Sequence, residues 1–155
     1  MSEEEKILKQ LEFKFLEAIK AHQEGNLDKA ELISKAILKL EPRLVEPNVE
    51  LSSIALRREQ LELAQGYAEE AIRLCTLHGH WMDNFTDDEL LAMAYCNLGE
   101  ALRKQAEMDE VIFQDPEMFE VLIGKAKEAY QKAAKLDPDN EFAKFWGAFN
   151  QKWRR

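Results

Sequence analysis

Cysteine, glycine and proline are all scarce in this sequence of 155 residues. The two cysteines, Cys75 and Cys96, are too few for a small secreted domain that is held together by disulfide bonds. Six glycines and four prolines exclude a collagen-like or low-complexity chain, and 46% hydrophobic residues suffice for an ordered core. We therefore expect one folded domain over residues 1–155, located in the reducing cytoplasm.

Long hydrophobic runs and positive charge are also lacking. No stretch approaches the roughly 18 consecutive apolar residues of a membrane-spanning helix. The chain has 30 Asp and Glu residues but 21 Lys and Arg residues, and its net charge of -9 repels nucleic-acid phosphates and anionic lipid surfaces. We therefore expect neither nucleic acid nor a membrane among its partners.

Apolar residues recur at the spacing of an α-helix along nearly the whole chain, and no segment shows the alternation of a strand. This pattern predicts an all-α fold of about seven helices. The first helix is expected over about residues 3–24, and the second follows Asn26. A third is expected to begin at Pro47, since a proline at the first helical position loses no hydrogen bond. A fourth covers about residues 61–74.

Capping residues mark two further helix starts. Thr86 and Glu89 form a capping box that opens a fifth helix. Asp115 is followed by Pro116, which predicts a sixth helix that ends at Pro138. The last helix is expected to cap the preceding ones. Its aromatic stripe consists of Phe142, Phe145, Trp146, Phe149 and Trp153.

An ordered series of small and large residues spans the fifth and sixth predicted helices. The series consists of Tyr95, Leu98, Gly99, Leu102, Ala126, Tyr130, Ala133 and Pro138. Its order resembles the signature of the tetratricopeptide repeat. Gly99 and Ala126 would let two helices approach closely, while Tyr130 fills the space beside them.

The resemblance covers roughly residues 12–153 and implies an antiparallel helix-hairpin solenoid. Members of this family bind peptides or partner helices in a groove that is lined by the first helix of each repeat. The resemblance therefore implies a scaffold, adaptor or co-chaperone that binds another protein. The expected boundaries are about 3–42 for repeat 1, 45–76 for repeat 2, 87–139 for repeat 3 and 140–153 for a capping helix.

The family register also predicts which residues face the groove. Phe15 and Ile19 are the expected contributors of the first repeat. In the later repeats, the predicted lining consists of Val49, Ser53, Leu56, Arg57, Met93, Cys96, Glu100, Arg103 and Lys104. Its three basic members would form one strip, which predicts an acidic or carboxylate-ended ligand because arginine pairs well with carboxylates. The alternative is that these basic side chains form ion pairs with Glu100 and neighbouring acidic residues on a solvent-exposed face.

The third repeat is longer than the family's usual spacing, which predicts an elongated hairpin around residues 105–125. Its tip is apolar where a solvated loop would be polar. The apolar residues are Val111, Ile112, Phe113, Met118 and Phe119. An alternative function is therefore a homo-oligomeric structural element that associates through this tip.

Candidate catalytic and metal-binding residues are few. Cys75, His78, His80 and Cys96 include zinc-ligand types, but their spacing matches no strong zinc pattern. No histidine is placed to activate a thiol or hydroxyl, and the glycines do not form a phosphate-binding loop. We therefore expect no metal, no cofactor and no catalytic site, with a small-molecule or metal-dependent enzyme as the remaining alternative.

Overall fold

The computed structural model describes residues 1–148, which contain eight helices and no strand. The predicted all-α fold is therefore confirmed, with one helix more than expected. The helices are α1 (Glu3–Gln23), α2 (Leu27–Leu40), α3 (Val45–Arg57), α4 (Leu61–His78), α5 (Asp87–Ala106), α6 (Asp109–Ile112), α7 (Pro116–Leu136) and α8 (Glu141–Ala148).

Capping side chains mark the starts of α5 and α7. The hydroxyl of Thr86 accepts a hydrogen bond from the Glu89 N–H at 3.1 Å, and the Glu89 carboxylate accepts the Thr86 N–H at 3.2 Å, which completes the predicted capping box of α5. The Asp115 side chain accepts the N–H of Met118 at 3.1 Å at the start of α7. These contacts satisfy N–H groups that have no partner within the helix.

Two predicted boundaries were wrong. The third helix begins at Val45 and not at Pro47, because a proline anywhere in the first turn removes no intrahelical hydrogen bond. The fourth helix continues past residue 74 to His78. It ends before Gly79, whose φ of 75° is unfavourable for residues with a side chain. The additional helix, α6, is a single turn between the two arms of the third hairpin.

The helices pack as three antiparallel hairpins, α1–α2, α3–α4 and α5–α7, with α8 against α7. Neighbouring hairpins meet where α2 contacts α3 and where α4 contacts α5. On the other side, α3 lies against α5, while α1 contacts α3 over a much smaller area. This packing order is that of a helical solenoid, and the first helices of the hairpins share one side of it.

Gly99 of α5 lies directly against the side chain of Tyr130 of α7. A Cβ atom placed there would lie 2.9 Å from two ring carbons of Tyr130, which is itself fully buried. Tyr130 packs with Leu102 and Ala126 in the same cluster. The predicted contact between α5 and α7 at Gly99 and Ala126 is therefore confirmed.

We expect Gly99→Ala to destabilise the chain relative to Gly124→Ala. Both replacements gain helix propensity equally, but an added Cβ meets nothing within 4 Å at Gly124 and overlaps the Tyr130 ring at Gly99. The free energies of unfolding of the two variants, measured by urea denaturation, should differ by about 1–3 kcal/mol. Equal stabilities would show that α5 and α7 are not in close contact at this level.

Candidate partner-binding groove

A hollow of about 250 Å³ lies between α1, α3 and α5, and we call it the α1–α3–α5 groove. Most of its surface is apolar, and Met93 on its wall is 40% exposed. Its lining consists of Phe15, Ile19, His22 and Gln23 from α1, Glu46, Val49, Glu50 and Ser53 from α3, and Phe85, Leu90 and Met93 from the α4–α5 segment and α5.

The α4–α5 loop, residues 79–86, packs against the first hairpin. Met82 is fully buried in a cluster with Phe15 and Leu11 of α1, and the ring of Trp81 lies 6.0 Å from the ring of Phe15. Phe85 of the same loop lines the groove. The loop therefore adds a contact between α1 and the later hairpins, where direct contact between α1 and α3 is small.

The carboxylate of Glu46 on α3 accepts hydrogen bonds from the backbone of this loop. It accepts the Met82 N–H at 2.7 Å and the Trp81 N–H at 2.9 and 3.2 Å. Glu46 is only 2% exposed, and this burial raises its pKa above the ordinary carboxyl value, against the opposing effect of the N–H groups. The glutamate thus satisfies two backbone donors that would otherwise be buried without a partner.

A second contact fixes the loop ends. The Asp87 carboxylate accepts the backbone N–H of His80 at 2.7 Å, and the His80 ring Nδ1 lies 2.5 Å from the same oxygen. This hydrogen bond raises the pKa of His80 and lowers the pKa of Asp87. Both side chains are partly exposed, so the pair closes the loop without forming part of the core.

Several polar side chains in and beside the groove have partners within the chain. His22 Nδ1 contacts Glu50 Oε1 between α1 and α3, and both side chains are largely buried. The Asn97 amide donates to the Ser53 hydroxyl at 3.0 Å and to the Ser52 hydroxyl at 2.7 Å, which links α5 to α3. Within the described residues, no lysine or arginine lines the groove.

The predicted groove residues divide into two sets. Val49, Ser53 and Met93 line the groove as the family register suggests. Leu56 does not, because it is buried with neighbours in a cluster of α3, α4 and α5. Cys96 lies elsewhere, in the cluster around Tyr130, with its sulfur 3.9 Å from the Asn140 amide nitrogen.

The predicted basic strip fails at Arg103. This side chain is only 13% exposed, its Nη1 donates to Glu107 Oε1 at 2.8 Å, and its Nη2 lies 3.7 Å from Glu100 Oε1. The guanidinium also lies 4.1 Å from the centre of the Trp146 ring. Arg103 and Glu100 therefore neutralise each other at the end of α5. Arg57 is exposed and Lys104 is half-buried, and neither lines the groove.

Sequence reasoning missed several groove residues. Glu46 and Glu50 lie one helical turn before Val49 and Ser53 respectively, so the same helical face could have identified them. The same argument applies to His22, which follows Ile19 by three residues. Phe85 carried no such signal, because the loop has no periodic pattern.

The tip residues also differ from one another. Phe113 is 78% exposed and Met118 is about half exposed, as a tip surface would require. Phe119 was wrongly placed on that surface: it is fully buried, because it packs against Ala106 and other residues of the hairpin core. Val111 and Ile112 pack against this same cluster and are half-buried.

The cysteines and histidines lie in separate surroundings. Cys75 is buried near the carbonyl oxygen of Asp87, and burial raises the pKa of the Cys75 thiol to about 11. Burial likewise raises the pKa of Cys96 to about 11, so neither thiol ionises readily near neutral pH. Over residues 1–148, no group of three His, Cys, Asp or Glu side chains could hold a metal ion.

The α8 helix covers the end of the third hairpin. Its Trp146 ring stacks on Tyr130 at a centroid distance of 6.2 Å, and the Phe142 ring meets Tyr130 edge-on at 5.8 Å. Phe145 is exposed at 59% and contacts Trp146. Phe149 and Trp153 of the predicted stripe lie outside the described residues. None of the helices in residues 1–148 has the length and apolar character needed to span a bilayer.

We expect Glu46→Ala to destabilise the chain by about 2–4 kcal/mol, because two backbone donors lose their buried acceptor. Glu46→Gln retains one oxygen that can accept both N–H groups and should cost less than half as much. Urea denaturation followed by circular dichroism measures both. Equal losses for alanine and glutamine would show that the side chain fills space and does not anchor the loop.

The Glu46→Gln variant also gives a pH test. Because the pKa of Glu46 is raised in the folded chain, its contribution to stability is largest below the ordinary value of 4.5 and is lost as the pH rises through the raised value. Glutamine does not titrate. The difference in unfolding free energy between the variant and the wild type should therefore shift in favour of the variant as the pH rises above 4.5. A shift in the opposite direction would contradict the assignment.

Comparison with known protein families gives a match in the third hairpin. The family model described as the tetratricopeptide repeat matches residues 123–140, which form most of α7 and the turn that follows it. A search of curated proteins finds no matching relative. The match covers Ala126, Tyr130, Ala133 and Pro138, the most specific part of the motif series, and the hairpin packing agrees with it. One tetratricopeptide repeat is therefore detected, at residues 123–140, within an all-helical hairpin fold.

Proposed function

We propose that this chain is an adaptor or co-chaperone that binds a peptide or partner helix in the α1–α3–α5 groove. The tetratricopeptide repeat makes a protein-interaction scaffold the general function. The observation that carries the specific proposal is the apolar hollow with the exposed Met93 on its wall. A water-exposed apolar hollow is stabilised when another apolar side chain fills it.

Each hairpin is proposed to be one repeat of a single domain over residues 1–155. Repeat 1 then spans about residues 3–42, repeat 2 about 45–76 and repeat 3 about 87–139. The capping helix is proposed over about residues 140–153, and within the described residues it corresponds to α8. The order of helix contacts supports this division, because each hairpin packs mainly on its neighbours in the chain.

The chemistry of the groove favours an apolar anchor on the ligand. Its ionisable residues are Glu46, Glu50 and His22, and each already has a partner within the chain. With no lysine or arginine in the lining, an acidic or carboxylate-ended ligand would find its counter-charge only outside the groove. We therefore propose a ligand segment with a large apolar side chain and neutral or basic neighbours.

We also propose that the protein is not an enzyme and that it is located in the cytoplasm. The fold is typical of interaction modules. The two cysteines are free and their thiols have raised pKa values, which suits neither a disulfide nor a nucleophile. The net charge of -9 supports a protein partner in preference to nucleic acid or a membrane.

Self-association through the hairpin tip is the second candidate function. It is favoured by Phe113, whose large ring is 78% exposed at the outer end of the third hairpin. Met108 and Met118 are also about half exposed. Exposed apolar groups that lie close together commonly mark contact surfaces.

Groove binding is tested with peptides that are selected against the immobilised chain from a random display library. For those peptides, Met93→Asp should weaken binding about tenfold or more, because a buried carboxylate would face the apolar anchor. Leu32→Asp is the matched control, since Leu32 is 71% exposed on α2, away from the groove. Equal affinities of the two variants, measured by fluorescence anisotropy, would remove the groove as the binding site.

Tip association is tested by light scattering at several protein concentrations. If the tip joins two copies, Phe113→Ser should convert the assembly to monomers without loss of helicity, because the ring makes little contact within its own chain. Leu40→Ser is the control, since Leu40 is 72% exposed at the end of α2. A monomeric wild type, or an assembly unaffected by Phe113→Ser, would contradict this candidate.

A further inference from the structure

We propose a second docking surface at the outer end of the third hairpin, for a cationic amphipathic segment of a partner protein. The surface is a hollow of about 820 Å³ between the start of α4 and the α5–α7 tip, and we call it the tip groove. It is separate from the α1–α3–α5 groove, with which it shares no residue.

The floor of the tip groove is apolar. Its apolar lining consists of Leu61, Leu63, Met108, Val111, Met118 and Leu122. Leu63, Met108 and Met118 each expose more than two fifths of their surface. Methionine side chains are flexible and polarisable, so they can adapt to different apolar groups. The groove therefore offers a partner one face of aliphatic side chains.

The rim of the tip groove is acidic. Glu59, Glu62 and Glu110 line it, and none of the three forms an ion pair with another described residue. No lysine or arginine lines the groove within residues 1–148. From Gln105 to Gly124 the sequence contains six acids and neither lysine nor arginine. Since like charges repel, the complementary partner carries Lys or Arg beside its apolar residues.

Glu59 occupies an unusual backbone position on this rim. Its φ is 57°, and the Glu59 and Gln60 N–H groups bond to the Leu56 and Ala55 carbonyls. In the first hairpin, Gly25 occupies the same kind of turn, with φ of 83°. A glycine would adopt this conformation more easily, so the backbone at Glu59 is strained. This strained turn places Glu59 in the lining of the tip groove.

A second copy of the chain is the competing occupant. Two tip grooves that face each other would bring their acidic rims together, which the net charge of -9 per chain opposes. The chain does carry Lys152, Arg154 and Arg155 beside Trp153, so light scattering must accompany the test. Self-association that the rim variants abolish would assign the groove to a second copy and overturn the proposal.

The probe is a synthetic amphipathic helix with leucines on one face and lysines on the other, and its counterpart has glutamate in place of lysine. The lysine peptide should bind and the glutamate peptide should not. Glu59→Gly combined with Glu62→Gln and Glu110→Gln should weaken the lysine peptide about tenfold, by loss of three facing charges. Leu63→Ser with Met118→Ser should weaken it as well, because the peptide's leucines lose their apolar contacts.

The control carries the same change in net charge elsewhere. Glu4→Gln, Glu24→Gln and Glu69→Gln alter three exposed acids outside the tip groove and should leave the affinity unchanged. Glu59→Gly alone should raise the melting temperature while it weakens the peptide, so loss of folding cannot explain the result. Met93→Asp should retain full binding, which separates this surface from the proposed function. Equal weakening by the control, or loss of binding in Met93→Asp alone, would overturn the proposal.

Discussion

The shape of the α1–α3–α5 groove depends on the hydrogen bonds that the buried carboxylate of Glu46 accepts from the α4–α5 loop. The first hairpin packs on α3 through α2, but α1 itself has little direct contact with α3 on the opposite side of the groove. The α4–α5 loop supplies that contact by packing Met82 and Trp81 against α1. The loop keeps its place because Glu46 satisfies two of its backbone donors in a buried position. Burial of the Glu46 carboxylate is unfavourable, as its raised pKa shows. The groove keeps its shape because the hydrogen bonds to the loop offset this cost.

The third hairpin positions the second surface by a different means. Gly99 allows α5 to approach the ring of Tyr130, and this close contact fixes the two long arms side by side. Phe119 closes the core at their outer end, where Val111 and Ile112 pack against it. The apolar residues that remain exposed beyond this cluster combine with unpaired acids. The two surfaces therefore differ in electrostatics, since the acids of the α1–α3–α5 groove are engaged and those of the tip groove are free to meet a cationic partner.

The sequence predicted the helices well because their signals are local. Helical periodicity and capping residues such as Thr86 and Asp115 lie within a few positions of the structure that they determine. The Gly99 contact was also predictable, since the small residue and its large partner belong to one repeat signature. The residues of the groove were harder to predict. Helical register indicates which face of its helix a residue occupies, but not which residues of other helices pack against that face. Arg103 shows this: Glu107 is its neighbour four residues along the chain, but Trp146 becomes its neighbour only when α8 packs against the third hairpin. The loop that completes the groove carries no periodic signal, and the role of Glu46 depends on backbone donors 35 residues away.

The five methionines allow the central claim, that partners bind in the α1–α3–α5 groove, to be tested in one titration. Met93 lines that groove, Met82 belongs to the α4–α5 loop and is buried against α1, and Met108 and Met118 line the tip groove. The methionine methyl signals of a ¹³C-labelled chain should be followed by NMR as a library-selected peptide is added. We expect the Met93 signal to shift and saturate with the peptide, while the Met108 and Met118 signals do not shift. A saturating shift at Met108 or Met118 with an unchanged Met93 signal would contradict binding in the α1–α3–α5 groove.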